Sequence, residues 1–201
     1  MKIFLKVGAY IWHPLLMPLL GTLFYFLVTP RYVDPQLLAS KIIVISILTI
    51  GVPLVIYFLL RNLQLVNSIR LEQVWERKIP LMIQNILLLA IIKLVFDSYI
   101  NPELYFFFVG ILFSSLSALL LVFMKTKASL HQMGISGVTF FAMALSIHFQ
   151  VNMIFIIACL LFANGWVASS RLYTKSHTMV ELVLGFFLGV VPQVLMLNFW
   201  L

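Results

Sequence analysis

Ser170-Arg171-Leu172-Tyr173-Thr174-Lys175-Ser176-His177-Thr178-Met179-Val180-Glu181 lies between two long apolar runs, about 153–168 and 178–201. Runs of that length and composition cross a bilayer as helices, so the stretch between them belongs at a membrane surface. It gathers Arg171, Lys175, His177 and Glu181 into a short segment. If the chain is helical from about Ser176, His177 and Glu181 are i, i+4 neighbours on one face. A carboxylate there can fix the imidazole tautomer and stabilise its charged form. Arg171 offers a planar fork of donors suited to phosphate oxygens. A competing reading exists for Glu181. Thr178-Met179-Val180-Glu181 fits a capping box, in which the carboxylate closes the helix start.

The rest of the composition agrees with a membrane protein. Of 201 residues, 63% are hydrophobic and 9% charged, too much apolar surface for a soluble domain. We read one all-α integral membrane domain over 1–201, a polytopic helix bundle. The net charge of +7, from 13 basic and 6 acidic residues, points to membrane topology and to anionic headgroups or substrates. No basic helix with interleaved aromatics suggests nucleic acid. The single Cys159 excludes an intrachain disulfide and reads as a small buried apolar residue.

The N-terminus is basic and then apolar, but His13, Pro14 and Pro18 interrupt it and no small-residue cleavage site follows. It reads as mature protein. Apolar runs lie at about 12–28, 41–60, 80–96, 104–124, 133–149, 153–168 and 178–201, and the broken first run leaves six or seven spans. Lys93 and Asp97 sit at i, i+4 and are expected to form a local ion pair. Ser114, Ser115, Ser117 and Ala118 are small residues suited to close packing. Gly185-Phe186-Phe187-Leu188-Gly189 reads as a helix-packing motif. Pairs of spans separate the polar clusters around Arg70–Lys78, Lys125–His131 and Arg171–His177, so all three land on one face of the membrane.

Arg70 and Arg77 are two helical turns apart. They are either a pair facing an anion or a positive-inside cluster partnered by Glu72 and Glu76. Ser129-Leu130-His131 opens a span, where free N–H groups bind anions readily. The alternative is a Ser129 helix cap beside a solvated His131. His13 and His148 have no local partners and read as ordinary interfacial residues. No Cys/His spacing supports zinc, and no histidine pair supports haem.

Together the three clusters resemble the signature motifs of the type 2 phosphatidic acid phosphatase (PAP2) superfamily. Its first motif is Lys, six residues, Arg-Pro; here Arg70 and Arg77 have that spacing, with Lys78-Ile79 before Pro80. The second is Pro-Ser-Gly-His, here Ala128-Ser129-Leu130-His131. The third is Ser-Arg, five residues, His, three residues, Asp, here Ser170-Arg171, His177 and Glu181. The chain is particularly similar to small, Bacteroidetes-like bacterial members with His-Pro-Leu-Leu-Met-Pro near the start. The likeness covers about 70–201, a PAP2-like catalytic core, and leaves two N-terminal helices over 1–61. It departs from the pattern at Arg70 for Lys, Leu130 for Gly and Glu181 for Asp. The added methylene of Glu181 moves its carboxylate by about 1 Å, worth roughly a hundredfold where positioning is strict.

The resemblance implies a lipid-phosphate phosphatase that needs no cofactor or metal. His177 would be the nucleophile, Glu181 its orienting group and His131 the general acid and base. Arg70, Arg77 and Arg171, with the Ser129 hydroxyl and the Leu130 amide, would hold the phosphoryl oxygens, and Lys127 would add a contact. The substrate would be phosphatidate, phosphatidylglycerophosphate, a lipid A phosphate or a polyprenyl (pyro)phosphate, phosphate in the polar cluster and tails in lipid. The alternative from another class is an anionic-lipid binder or transporter without turnover. Outside the proposed site, basic residues favour the motif face (Lys2, Lys6, Arg61, Lys78, Lys125, Lys175) over the other (Arg31, Lys41). That bias expects the site in the cytoplasm, on a bacterial inner membrane; many bacterial relatives instead work on the periplasmic side.

Overall fold

Where prolines fall decides how the first half of the chain breaks into helices. The computed structural model describes residues 2–66 and 73–201. Helix α1, Lys2–Ile11, stops just before His13-Pro14. The residue ahead of a proline is driven to extended backbone, and His13 has φ −68° and ψ 136°. One 3₁₀ turn, Pro14–Leu16, then leads into α2, Met17–Val28. The two arms are bent by 41°. Together they are a broken span or a re-entrant loop, where the sequence reading has one apolar run over about 12–28. The long helix α3, Pro35–Asn62, is started by Asp34. Its carboxylate accepts the Gln36 and Leu37 amides at 2.9 and 3.1 Å. Pro53 cannot donate to the carbonyl of Thr49, and the helix widens there into a π turn, Ile47–Gly51.

The remaining helices are α4 (Lys78–Leu94), α5 (Pro102–Phe123), α6 (Leu130–His148), α7 (Ile154–Tyr173) and α8 (Met179–Leu197). No strand occurs among the described residues. The protein is an all-α polytopic bundle. Among the described residues, five helices (α3, α5, α6, α7 and α8) are long and apolar enough to span a membrane, six if the bent α1–α2 pair is one span. The run expected over 80–96 is the 17-residue α4, at the short limit of a crossing.

Helix α6 is the centre. It packs against α2, α5, α7 and α8, most closely against α8. Gly185 and Gly189 make that approach possible. A methyl at Gly185 would lie 2.5 Å from the Ser129 carbonyl, and one at Gly189 would strike the Met133 carbonyl and the Ser136 hydroxyl. The small-residue motif thus packs helices, as expected. Lower in the bundle Phe107 stacks on Phe141 with centroids 4.1 Å apart, among Tyr25, Phe108, Leu104 and Leu145, all fully buried. Helix α1 docks on α7: Phe4 stacks on Trp166 at 4.3 Å, and the indole N–H donates to the Phe4 carbonyl at 3.0 Å.

Two expectations fail. Cys159 is exposed on α7, facing outward rather than into the core. In a bilayer an outward apolar surface meets lipid, so hydrophobicity does not distinguish the two environments. Lys93 and Asp97 form no ion pair among the described residues; Asp97 instead accepts the Tyr99 amide at 2.7 Å.

The end of the bundle opposite the three clusters is tied by a polar network. Fully buried Glu103 accepts from Arg31 at 2.6 Å and lies 3.1 Å from His148 Nε2. His148, which has no local partner in sequence, finds this one on another helix. Arg31 and Asn101 both donate to the Tyr25 hydroxyl, at 3.1 and 2.9 Å, and Lys41 donates to Asn101 at 3.0 Å. The Glu103 bond raises the pKa of Arg31.

Helix endings share one device. Gln64, Lys125, Gln150 and Lys175 have φ of 57°, 59°, 55° and 52°, the left-handed region that glycine usually fills. In each case the next amide reaches back to close the helix, as Ser176 N–H does to the Arg171 carbonyl at 3.0 Å.

Gly189→Leu should separate α8 from α6 and lower the unfolding temperature in detergent, at a cost of at least about 1–3 kcal/mol. Gly165→Ala, where added atoms meet nothing within 4 Å, should leave it unchanged or slightly raised. Thermal denaturation followed by far-UV circular dichroism checks both.

Candidate active site

Each polar cluster sits at a helix end, and the packing around α6 brings those ends together. Arg77 is the last residue of a 3₁₀ turn, Trp75–Arg77, and starts α4. It is buried and donates through Nη1 to the Ala128 carbonyl at 2.8 Å. That bond ties the first cluster to the second. Arg70 falls within 67–72, outside the described residues.

Ser129 caps α6: its hydroxyl accepts the Gln132 amide at 3.4 Å. Its own amide donates to the Glu181 carbonyl at 3.0 Å. Ser129 is fully buried and does the capping work that the sequence left as an alternative. Leu130 and His131, next along, line a cavity. Lys127 donates to the Ser176 carbonyl at 2.9 Å, tying the second cluster to the third. Arg171, at the end of α7, is buried and lines the same cavity.

His177 precedes α8. Its Nδ1 is 2.7 Å from Glu181 Oε2, the i, i+4 contact expected. Glu181 also closes a capping box: its carboxylate accepts the Thr178 amide at 3.2 Å, and its amide donates to Thr178 Oγ1 at 3.3 Å. The two readings of Glu181 are therefore both realised by one carboxylate. A carboxylate only accepts, so the neutral imidazole holds its proton on Nδ1 and carries its lone pair on Nε2.

Burial, chiefly, pushes the His177 pKa down to about 4, and the charges of Arg77, Lys127 and Arg171 push the same way. The Glu181 hydrogen bond opposes them. Near neutral pH the ring is uncharged. Burial also pushes Arg77 down to about 10, with Arg171 adding to the effect and Glu181 and Glu76 opposing it. Like charges brought together under partial burial destabilise one another unless an anion joins them.

Arg77, His131, Arg171, Ser176 and His177 line the polar end of a cavity of about 510 Å³. It continues between α2, α3, α4 and α5 past Leu81, Leu88 and Ile111 to Phe107. From the α5 end nearest the site, Phe107 is roughly 24 Å of helix rise away. The cavity is thus charged at one end and mostly apolar along its length.

The sequence reading missed one participant. His13 lines the cavity, its ring 5.2 Å from that of His131 in an edge-to-face pair. His13 and His131 are far apart in sequence, and the break at His13-Pro14 was the only signal. Among the described residues no three His, Cys, Asp or Glu side chains are grouped to hold a metal ion. The chain matches no protein-family model, no curated protein and no solved structure.

The electrostatics predict a titration. In the ¹⁵N NMR spectrum of histidine-labelled protein, His177 should titrate near pH 4. Glu181→Gln removes the contact that raises its pKa, so the midpoint should fall further. Arg77→Gln removes one that lowers it, so the midpoint should rise. The unfolded chain binds this proton near 6.5, so folding stability should decline as pH falls from about 6.5 to about 4.

Proposed function

We propose that this protein is a membrane phosphatase of the PAP2 type. It hydrolyses a phosphomonoester or pyrophosphate of an amphiphilic lipid through a phosphohistidine intermediate. One observation carries the reading: an uncharged His177, oriented by Glu181 at 2.7 Å, shares a cavity wall with His131, Arg77 and Arg171. A nucleophile, an acid–base group and two cations at one surface meet the requirements of phosphoryl transfer.

In the first step His177 Nε2 attacks phosphorus. The P–O bond to the leaving group breaks, and the departing oxygen takes a proton from protonated His131. In the second, His131 takes a proton from water, whose oxygen attacks phosphorus. The P–N bond breaks and its electron pair returns to Nε2. A monoester yields an alcohol and inorganic phosphate; a pyrophosphate yields the lipid monophosphate and inorganic phosphate. Arg77 and Arg171 sit where the charge on the phosphoryl oxygens grows. Lys127, the Leu130 amide and Arg70 belong to the same proposal. The Ser129 hydroxyl already accepts a cap bond, so its share is as a donor. No step requires a metal or cofactor.

The apolar length of the cavity supports an amphiphile, such as phosphatidate, phosphatidylglycerophosphate, a lipid A phosphate or a polyprenyl (pyro)phosphate. The basic bias toward the motif face supports a cytoplasmic site in a bacterial inner membrane. A cysteine introduced at Thr126, in a Cys159→Ala background, should then resist a membrane-impermeant maleimide in intact cells.

Purified protein in detergent should release phosphate from at least one of these lipids in the presence of EDTA, and vanadate should inhibit it. His177→Ala should abolish turnover with the fold retained. Glu181→Gln should cost less, up to roughly a hundredfold. Folded protein that binds these lipids and releases no phosphate would instead be an anionic-lipid binder using the same cations.

A further inference from the structure

Between Lys78 and Lys93, helix α4 carries only two polar side chains, Gln84 and Asn85. Their surroundings differ. Asn85 is buried and stands outside the cavity wall, whereas Gln84 lines the cavity. The helix explains why. Arg77, Leu81, Gln84 and Leu88 recur at the three- and four-residue spacing of one helical face, and all four line the cavity. Gln84 is two turns on from Arg77, about 10 Å of helix rise into the cavity. The other α4 residues of the wall past Arg77, namely Pro80, Leu81, Ile83, Leu87 and Leu88, are apolar. Among the described residues the Gln84 carboxamide forms no hydrogen bond. Two further hydroxyls of the same wall, those of Ser115 on α5 and Tyr57 on α3, are buried and also lack partners. An amide shielded from water without a partner costs free energy, and leucine would suit this wall without that cost. A few polar groups in an otherwise apolar pocket decide what the pocket accepts.

We propose that Gln84 is a specificity-determining residue that reads an acyl carbonyl of the bound lipid. Its carboxamide N–H donates to the ester carbonyl that lies a few bonds from the phosphate in an acylated glycerol phosphate. A polyprenyl chain or an alkyl ether has no such carbonyl and leaves the amide unpaired. Arg77 and Arg171 at the phosphate and Gln84 at the carbonyl then fix the depth of the lipid at two points. The proposal rests on the assigned function for the seat of the phosphate, and on the cavity alone for Gln84.

The test is competition, in detergent micelles with the full chain, between a diacyl glycerol phosphate and its dialkyl ether of equal chain length. The ratio of their dephosphorylation rates is the ratio of kcat/KM and does not depend on how much enzyme is folded. Wild type should prefer the ester about fivefold or more, the worth of one hydrogen bond. Gln84→Leu should bring the ratio to within about twofold of one, chiefly by loss of ester turnover. Asn85→Leu, at the neighbouring amide outside the cavity wall, should keep the wild-type ratio. A wild-type ratio near one overturns the proposal whether or not the variants fold. So does a preference retained in Gln84→Leu, or one lost equally in Asn85→Leu. Wild type that releases no phosphate from either lipid would overturn the assigned function instead, and binding would then decide the role of Gln84. The ester should raise the unfolding temperature more than the ether in wild type, and both equally in Gln84→Leu. Equal shifts in wild type would overturn the proposal.

Discussion

The backbone-to-backbone approach of α8 to α6 holds the site together. Without side chains at Gly185 and Gly189, the first turns of α8 lie against the Ser129 and Met133 carbonyls. The Ser129 amide then reaches the Glu181 carbonyl at 3.0 Å. Glu181 is thereby fixed by its backbone, and its side chain fixes His177. In lipid no hydrophobic force drives helices together, so close van der Waals contact between small residues has to supply the association. Precision at His177 comes from contacts made about two and three turns further along the chain in α8.

The helices and the one-sided clustering were legible in the sequence because both rest on local patterns. Apolar runs give crossings, and i, i+4 spacing gives the His177–Glu181 pair. The three clusters share a surface because the helices between them return the chain. Less local features were hidden. Cys159 sits in an apolar run, but lipid is as apolar as protein, so the run does not say which way a residue faces. His13 looked solitary because its partner His131 comes from another helix. His148 looked solitary for the same reason, since Glu103 stands on α5. The competition between helix cap and histidine partner at Glu181 could not be decided from spacing, and one carboxylate oxygen with more than one lone pair makes both contacts.

The two ends of the bundle are built on opposite electrostatic terms. At one end a fully buried carboxylate, Glu103, is met by Arg31 and His148, and Tyr25 and Asn101 complete the network. At the other end Arg77 and Arg171 act on each other and on His177 in the same sense, each raising the cost of the next positive charge. Proteins tolerate such local conflict mainly where function requires it. The first end has the character of a clasp. The second has the character of a receptor for negative charge, which agrees with the proposed phosphate substrate.

Lys125 and Lys175 end α5 and α7 in a conformation that costs a side-chain-bearing residue roughly 1–2 kcal/mol. Glycine would relieve that strain. It would also delete two positive charges from one surface of the bundle, and charges beside membrane spans bias which loops stay behind on insertion. One residue thus serves both as a stop for the helix and as an address for the loop, and evolution cannot optimise the two separately. Variants stabilised by glycine at these positions would fold more tightly while carrying a weaker instruction for orientation, a trade that soluble proteins do not face.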